Sequence, residues 1–218
     1  MIVVLLGPPG AGKGTQGERM AASLGVPKIA TGDVLRVAVK AGTTLGLEAK
    51  GFMDRGDLVP DAVILGIIKE VLAQPAQAQG VILDGVVRTV PQAEGLAKVT
   101  RELGRTVDVV LAFDIADEEL VSRLSGRTTC DTCQKPFKGL APGQPCPTGD
   151  GGTLVRRADD EPDAIRNRLR IYREQTAPVL DWYAAQGARS TRSARIVRIN
   201  AVGSVDDVAA RTLAAVGR

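Results

Sequence analysis

Gly7-Pro8-Pro9-Gly10-Ala11-Gly12-Lys13-Gly14-Thr15 is the stretch that decides how this 218-residue chain is read. It follows Ile2-Val3-Val4-Leu5-Leu6, a short apolar run of the kind that forms a buried parallel strand. It precedes Gln16 to Leu24, where Met20, Ala21 and Leu24 recur at helical spacing. Strand, glycine-rich turn, lysine and helix compose a phosphate-binding loop, which predicts binding of a nucleoside triphosphate. The glycines let the backbone N–H groups of Gly10, Ala11, Gly12, Lys13, Gly14 and Thr15 converge on phosphate oxygens, and the helix start adds its positive dipole end. Lys13 is expected to reach the β- and γ-phosphates, and Thr15 to help hold Mg²⁺. The general pattern has Ser or Thr directly after the lysine, whereas here Gly14 intervenes.

Composition narrows the chemistry. The chain contains no histidine, which excludes His general bases, Ser-His-Asp triads and His metal ligands. What remains is catalysis by positioning, cations, carboxylates and metal, the needs of phosphoryl transfer. Aromatic residues make up 3% of the chain, too few for a base-stacking platform, and a net charge of +3 suits small anionic ligands better than a nucleic-acid track. No apolar run approaches the ~20 residues that span a bilayer, so no membrane association is expected. Met1 to Leu6 lacks the marks of a signal peptide, and a cytoplasmic location is predicted.

Working outward, further short apolar runs alternate with helical patterns. Strands are expected at Pro27 to Ala30, Gly80 to Gly85, Val109 to Phe113 and Arg195 to Ile199. Helices are expected from Thr31-Gly32-Asp33, with Val34, Leu35 and Ala38 on one face, and over Asp61 to Leu72, Gln92 to Leu103, Glu118 to Leu124 and Val205 to Val216. Gly51 to Pro60 reads as polar and turn-rich, so Ala30 to Pro60 looks like a small helical insertion. The pattern predicts an α/β fold: a doubly wound, five-stranded parallel sheet with helices on both faces and a ligand crevice at the strands' C-terminal ends. Asp84 closes one of those strands beside the loop and is assigned to orient hydrated Mg²⁺. Arg36 lies in the first turn of its helix, where a cation opposes the dipole unless an anion is near.

All three cysteines fall between Thr128 and Arg157. Cys130-Asp131-Thr132-Cys133 has the spacing of two corners of a tetrahedral zinc site, with Cys146 as a third. No Cys or His remains, so an oxygen must supply the fourth; Asp150 is the candidate, ahead of Thr148 and Asp131. The alternative is three reduced thiols in a small β knuckle that folds without metal. From Asp160, read as an N-cap, a long helix is predicted, with Ile165, Leu169, Tyr172, Thr176, Val179, Leu180 and Tyr183 as its core-facing stripe.

At this point the chain resembles an adenylate kinase of the long-lid bacterial type. The likeness rests on Gly7 to Gln16, Thr31-Gly32-Asp33-Val34-Leu35-Arg36, Asp84-Gly85 with Arg88-Thr89 and Gln92, Gly126-Arg127, and Arg157-Ala158-Asp159-Asp160. Arg168 to Tyr172 and Gln175 to Pro178 extend it. The Gly14-Thr15 spacing is also that family's own. The resemblance implies Mg²⁺-dependent, reversible phosphoryl transfer from ATP to AMP, giving two ADP, by a monomer. It implies that Lys13, Arg88, Arg127, Arg157, Arg168 and Asp84 are catalytic, and that Arg123, Arg127 and Gly203 join the loop around ATP. AMP would be held by Thr31, Arg36, Leu58, Val59, Gly85, Arg88, Gln92, Arg157 and Arg168, with Gln92 on the adenine. The implied divisions are a core of 1–29, 61–127 and 164–218, an AMP-binding flap of 30–60, and a mobile lid of 128–163 that could carry structural Zn²⁺ on Cys130, Cys133, Cys146 and Asp150. The family usually has an aromatic residue and proline after Asp-Gly, where this chain has Val86-Val87, and its last two metal ligands are closer together. Two other readings compete: a kinase acting on another nucleoside monophosphate, and a non-catalytic ATP-sensing module.

Overall fold

Alternate residues of Ile2–Leu6 (β1) point to opposite sides of a central sheet, and each side buries its own apolar cluster. The computed structural model describes residues 1–189 and 193–217. Ile2, Val4 and Leu6 belong to one cluster and Val3 and Leu5 to the other, as the two-residue period of a strand requires. The remaining strands are Lys28–Ala30 (β2), Val81–Asp84 (β3), Val109–Asp114 (β4) and, outside the knuckle described below, Arg195–Asn200 near the C-terminus. They pair in parallel in the order β2, β3, β1, β4 and Arg195–Asn200, with β1 in the middle. The five-stranded parallel sheet read from the sequence is therefore present.

Helices Lys13–Leu24 (α1), Thr31–Lys40 (α2), Thr44–Arg55 (α3), Asp61–Leu72 (α4), Val90–Glu102 (α5) and Asp117–Ser125 (α6) fill the connections. Ile64 and Ile68 of α4 and Leu96 of α5 cover one face, while Met20 of α1 and Leu120 and Leu124 of α6 cover the other. Two expectations need correction here. Gly51 to Arg55 is helical: α3 runs to Arg55 and only then ends, at Gly56 in the left-handed region. Its packing against α2 requires Gly46, where a Cβ would sit 2.2 Å from the Ala38 carbonyl oxygen. Val34 faces solvent, and Leu35 alone of the predicted trio is fully buried.

A smaller antiparallel sheet, Pro136–Lys138 (β6), Arg127–Cys130 (β5) and Leu154–Val155 (β7) in that spatial order, forms a knuckle above the strand ends. Beyond it the long helix is divided into Pro162–Ile171 (α7), a wide π turn at Tyr172–Thr176, and Ala177–Arg189 (α8). The predicted single stripe is accordingly split. Ile165 and Leu169 join the cluster under α1 and α6, whereas Val179 and Tyr183 join the one under α4 and α5. The parallel strand Arg195–Asn200 (β8) and Val205–Ala215 (α9) complete the chain, with a reciprocal Ser204–Asp207 capping box at the start of α9.

Candidate functional site

The phosphate loop leaves β1 through Gly7, whose backbone crosses so close to β4 that a Cβ would lie 2.9 Å from that of Phe113. Gly10 and Gly12 have φ of 85° and 89°, conformations that glycine adopts without strain, and Gly12 is the residue from which α1 springs. The Lys13 ammonium folds back along the loop and donates to the carbonyls of Gly7 (2.7 Å) and Pro8 (2.9 Å). Burial pulls its pKa down to about 8 against the raising effect of Asp84, with Arg88, Arg168 and Arg127 adding to the fall.

Asp84 ends β3 directly across from the first turn of α1, where a Cβ on Gly14 would lie 3.3 Å from its Oδ2. No side chain among the described residues bonds its carboxylate, so its oxygens are free for a hydrated cation. Thr15 lines the same cleft, and a carboxylate with a hydroxyl residue is the hard oxygen donor set that suits Mg²⁺.

A cleft of about 590 Å³ runs from this loop across the strand ends to α2 and under the knuckle. Every residue assigned to nucleotide or catalysis lines it except Ala11, which is buried and whose N–H donates to the Pro8 carbonyl at 3.2 Å. The structure thus brings together Lys13, Thr31, Arg36, Asp84, Arg88, Gln92, Arg123, Arg127, Arg157 and Arg168 with Leu58, Val59, Gly85 and Gly203.

Several acidic groups hold the guanidiniums in place. Asp160, fully buried, grips Arg127 through Nε at 2.7 Å and meets Arg168 Nη1 at 3.2 Å. This corrects its assignment as an N-cap: Pro162 takes the first helical position, Glu161 becomes the cap, and Asp160 is left in a tight turn facing inward. Asp159 pairs with Arg168 at 2.9 Å. Burial works against the Asp159 carboxylate, but Arg168, Arg157 and Arg127 outweigh it and hold its pKa below the usual range. Arg36 pairs with Asp33, but α2 begins at Thr31, which puts Arg36 in its second turn rather than the expected first, so this pairing and not the helix dipole holds it. Asp159 and Asp33 escaped the sequence reading, although both sit inside motifs quoted there; adjacency to a needed arginine was the available signal.

The arginines nevertheless remain short of partners. Burial depresses the pKa of Arg88 and Arg168 and draws Arg157 down to about 9, with neighbouring guanidiniums contributing to each. The Nε atoms of Arg36 and Arg157 are buried without an acceptor among the described residues. Such donors point to anionic oxygens as the ligands of this space.

On the α2 side the supports are polar and neutral. Thr31 Oγ1 donates to the Gly85 carbonyl at 2.7 Å, and Arg88 Nε reaches the same oxygen at 3.1 Å. The π turn places the Thr176 hydroxyl on the Arg88 carbonyl at 2.8 Å. Gln92 is 1% exposed, and its amide is engaged at both ends, by the Arg88 N–H and by Asp61. Val86 and Val87, in place of the expected aromatic and proline, are both buried in the core. Arg123 donates to the Ala201 carbonyl and to Glu119 at the opposite end of the cleft.

In the knuckle, one ligand atom each from Cys130, Cys133, Cys146 and Asp150 lie within 4.8 Å of one another. Cys133 and Cys146 sulfurs are 3.8 Å apart, matching the edge of about 3.8 Å that Zn–S bonds of about 2.3 Å give a tetrahedron. The Asp150 carboxylate stands 3.3 Å from the Cys130 sulfur, which also accepts the backbone N–H groups of Thr132 and Cys133. Gly152 closes the cradle: a Cβ there would lie 2.4 Å from the Cys130 sulfur. Asp131 is turned away onto Thr132 and the Thr153 N–H, and Thr148 bonds the Cys146 sulfur at 3.0 Å. Three thiols and one carboxylate fit a small divalent, thiophilic cation.

Residues 5–188 match the family model described as adenylate kinase. The chain is 63% identical over 216 residues to an adenylate kinase of Gemmatimonas aurantiaca, covering 99% of this chain and 98% of that protein. It is 43% identical over 210 residues to an adenylate kinase of Methanosarcina barkeri, and 46% identical over 217 residues to one of Salinispora tropica. Those alignments cover 95% and 98% of this chain, and 94% and 96% of the relatives.

Proposed function

This chain belongs to the adenylate kinase family and catalyses reversible phosphoryl transfer from ATP to AMP; on that premise we propose how its cleft residues divide the work. The observation that carries the assignment is the gathering of Lys13 and six arginines around one cleft, with the buried Nε donors of Arg36 and Arg157 lacking acceptors among the described residues. Two polyanions must meet in line, and fixed cations are what offset their repulsion.

The loop backbone and Lys13 take the ATP phosphates, Lys13 exchanging the Gly7 and Pro8 carbonyls for phosphate oxygens. Arg123 and Gly203 flank the nucleoside end of the same site. Arg36 and Arg88 take the AMP phosphate, while Thr31, Leu58, Val59, Gly85 and Gln92 surround its nucleoside. An oxygen of the AMP phosphate then forms its bond to the γ-phosphorus as the bond to the ADP oxygen breaks, so no protein nucleophile and no general base is needed. Arg127, Arg157 and Arg168 gather on the transferring group, and Asp159 and Asp160 keep two of them aimed before substrate arrives. Mg²⁺ would supply positive charge that offsets the charge of the phosphate oxygens. Asp84 and Thr15 would hold it.

We assign 1–29, 61–127 and 164–218 to the core, 30–60 to an AMP-binding flap and 128–163 to a lid that excludes water on closing. The separate three-stranded sheet of the knuckle supports that division. In the lid we propose a structural Zn²⁺ on Cys130, Cys133, Cys146 and Asp150, supported by the 3.8 Å between the Cys133 and Cys146 sulfurs and by the convergence of all four ligand atoms within 4.8 Å. Among the described residues no helix is long and apolar enough to cross a membrane; a cytoplasmic monomer, as the resemblance implies, is the state proposed for this chain.

A coupled assay of ATP formation from ADP and Mg²⁺ tests the assignment. Activity that is lost in Lys13→Ala supports transfer at this loop. Equal activity in both proteins would overturn the role given to Lys13.

A further inference from the structure

The amide of Gln92 has no freedom to turn over. Its Oε1 accepts the backbone N–H of Arg88 at 2.7 Å, and its Nε2 donates to Asp61 Oδ1 at 2.7 Å. The two partners are chemically one-sided, since a backbone N–H only donates and a carboxylate only accepts. Which end of the amide is oxygen is therefore fixed by the neighbours. Thr89, the N-cap of α5, donates to the same Asp61 oxygen at 3.1 Å and ties the start of α4 to the start of α5.

We propose that Asp61 is a specificity-determining positioning residue, locking Gln92 in the one orientation that reads a 6-aminopurine and rejects a 6-oxopurine. The inference rests on the reading that Gln92 faces the base of the acceptor nucleotide. With one lone pair and one N–H engaged by Arg88 and Asp61, Gln92 keeps one lone pair on Oε1 and one N–H on Nε2. A 6-aminopurine offers the complement, an amino donor beside a ring-nitrogen acceptor. A 6-oxopurine offers the reverse, an acceptor beside an N–H donor, and meets like against like. An unrestrained glutamine would accept either base by rotating half a turn about its last side-chain bond. A lone carboxylate held on the far side of the amide removes that option, because rotation would set Oε1 against Asp61 and Nε2 against the Arg88 N–H. Charge-assisted bonds are about twice as strong as neutral ones, so the Asp61 contact is the stronger of the two restraints.

The test compares kcat/KM for AMP and for inosine monophosphate as acceptors, in the wild type, Asp61→Asn, Gln92→Ala and the double variant. Each selectivity is a ratio within one preparation, independent of how much protein is folded. A carboxamide in place of the Asp61 carboxylate could either accept from or donate to the glutamine, so the one-sided restraint is lost. Asp61→Asn is therefore expected to lower the AMP preference by roughly 10-fold, through KM for the acceptor, while KM for ATP holds. In the Gln92→Ala background the same change should have no further effect. An unaltered ratio in Asp61→Asn, with Gln92→Ala still losing selectivity, would overturn the proposal, as would an equal loss in both backgrounds. An unaltered ratio in Gln92→Ala would instead remove Gln92 from the base site, and the proposal with it.

Discussion

The five-stranded core and the three-stranded knuckle hold their shapes by different means. In the core, β1 lies under helices on both sides and nearly every residue from Ile2 to Phe113 in β1, β3 and β4 is fully buried. In the knuckle the buried cluster consists of Cys130, Cys146 and Leu154, with Cys133, Phe137 and Leu140 beside it. That is too little apolar surface to fix a sheet by burial alone, and half of the cluster is thiol. The core can thus tolerate a cleft lined with an excess of cations, while the proposed Zn²⁺ on Cys130, Cys133, Cys146 and Asp150 would supply the knuckle with what burial does not. On that reading, rigidity of the catalytic floor and stability of the knuckle are separable properties of one chain.

The largest test of that separation lies in the floor. Lys13→Ala should lower kcat by roughly 10³-fold or more with an unchanged melting temperature, because its ammonium bonds only loop carbonyls in the absence of phosphate. Steady-state kinetics beside calorimetry would check it, and a matching loss of stability would break the comparison. Arg88→Ala should cost roughly 10²- to 10³-fold in kcat/KM for AMP while leaving ATP affinity near normal. Equal losses for both nucleotides would mean the two phosphate sites are not distinct.

In the knuckle, Gly152→Ala should expel the proposed Zn²⁺, since the new methyl would displace the Cys130 sulfur. Metal content per chain would fall, and unfolding would show an early transition for the knuckle ahead of an unshifted core. Chelation of the wild type should reproduce that profile. A single shifted transition would show that the knuckle melts with the core.

The smallest effect is a proton. Lys13 titrates near pH 8 in the free protein, below the ordinary lysine value of 10.5, with burial as the leading cause. Between those values the unfolded chain binds more protons than the folded one, so this group's contribution raises stability as pH climbs from about 8 towards 10.5. Phosphate beside the ammonium favours its charged form, so nucleotide binding should take up as much as one proton per site at about pH 9 and almost none at about pH 6. Titration calorimetry in buffers of differing ionisation enthalpy would measure it, and Lys13→Met should lose the lysine's share of the uptake.

The sequence showed the core more fully than the site's supports. Short β-branched runs alternating with 3.6-period segments dictate a parallel sheet, because both faces of such strands must be covered. The phosphate loop is legible because its glycines are demanded by local backbone geometry. Asp160 was misread for the opposite reason: capping is a local rule, but the buried partners of this carboxylate, Arg127 and Arg168, arrive from elsewhere in the fold. The same applies to Asp61, 31 positions before the glutamine it binds. Helix α3 was missed over Gly51–Arg55 because a polar, glycine-bearing segment carries little periodic signal, and packing against α2 and α7 supplies what propensity does not.

The π turn at Tyr172–Thr176 separates a helix that serves one side of the sheet from a helix that serves the other. Chain length is consequently constrained there more tightly than chemistry. Deleting one residue would let α7 run into α8 as an uninterrupted helix, yet it would swing Val179 and Tyr183 by about 100° from the cluster they fill. It would also draw the Thr176 hydroxyl off the Arg88 carbonyl. Substitutions can pass through this segment where insertions and deletions cannot, and variation among workable sequences should be counted there in residue types rather than in gaps.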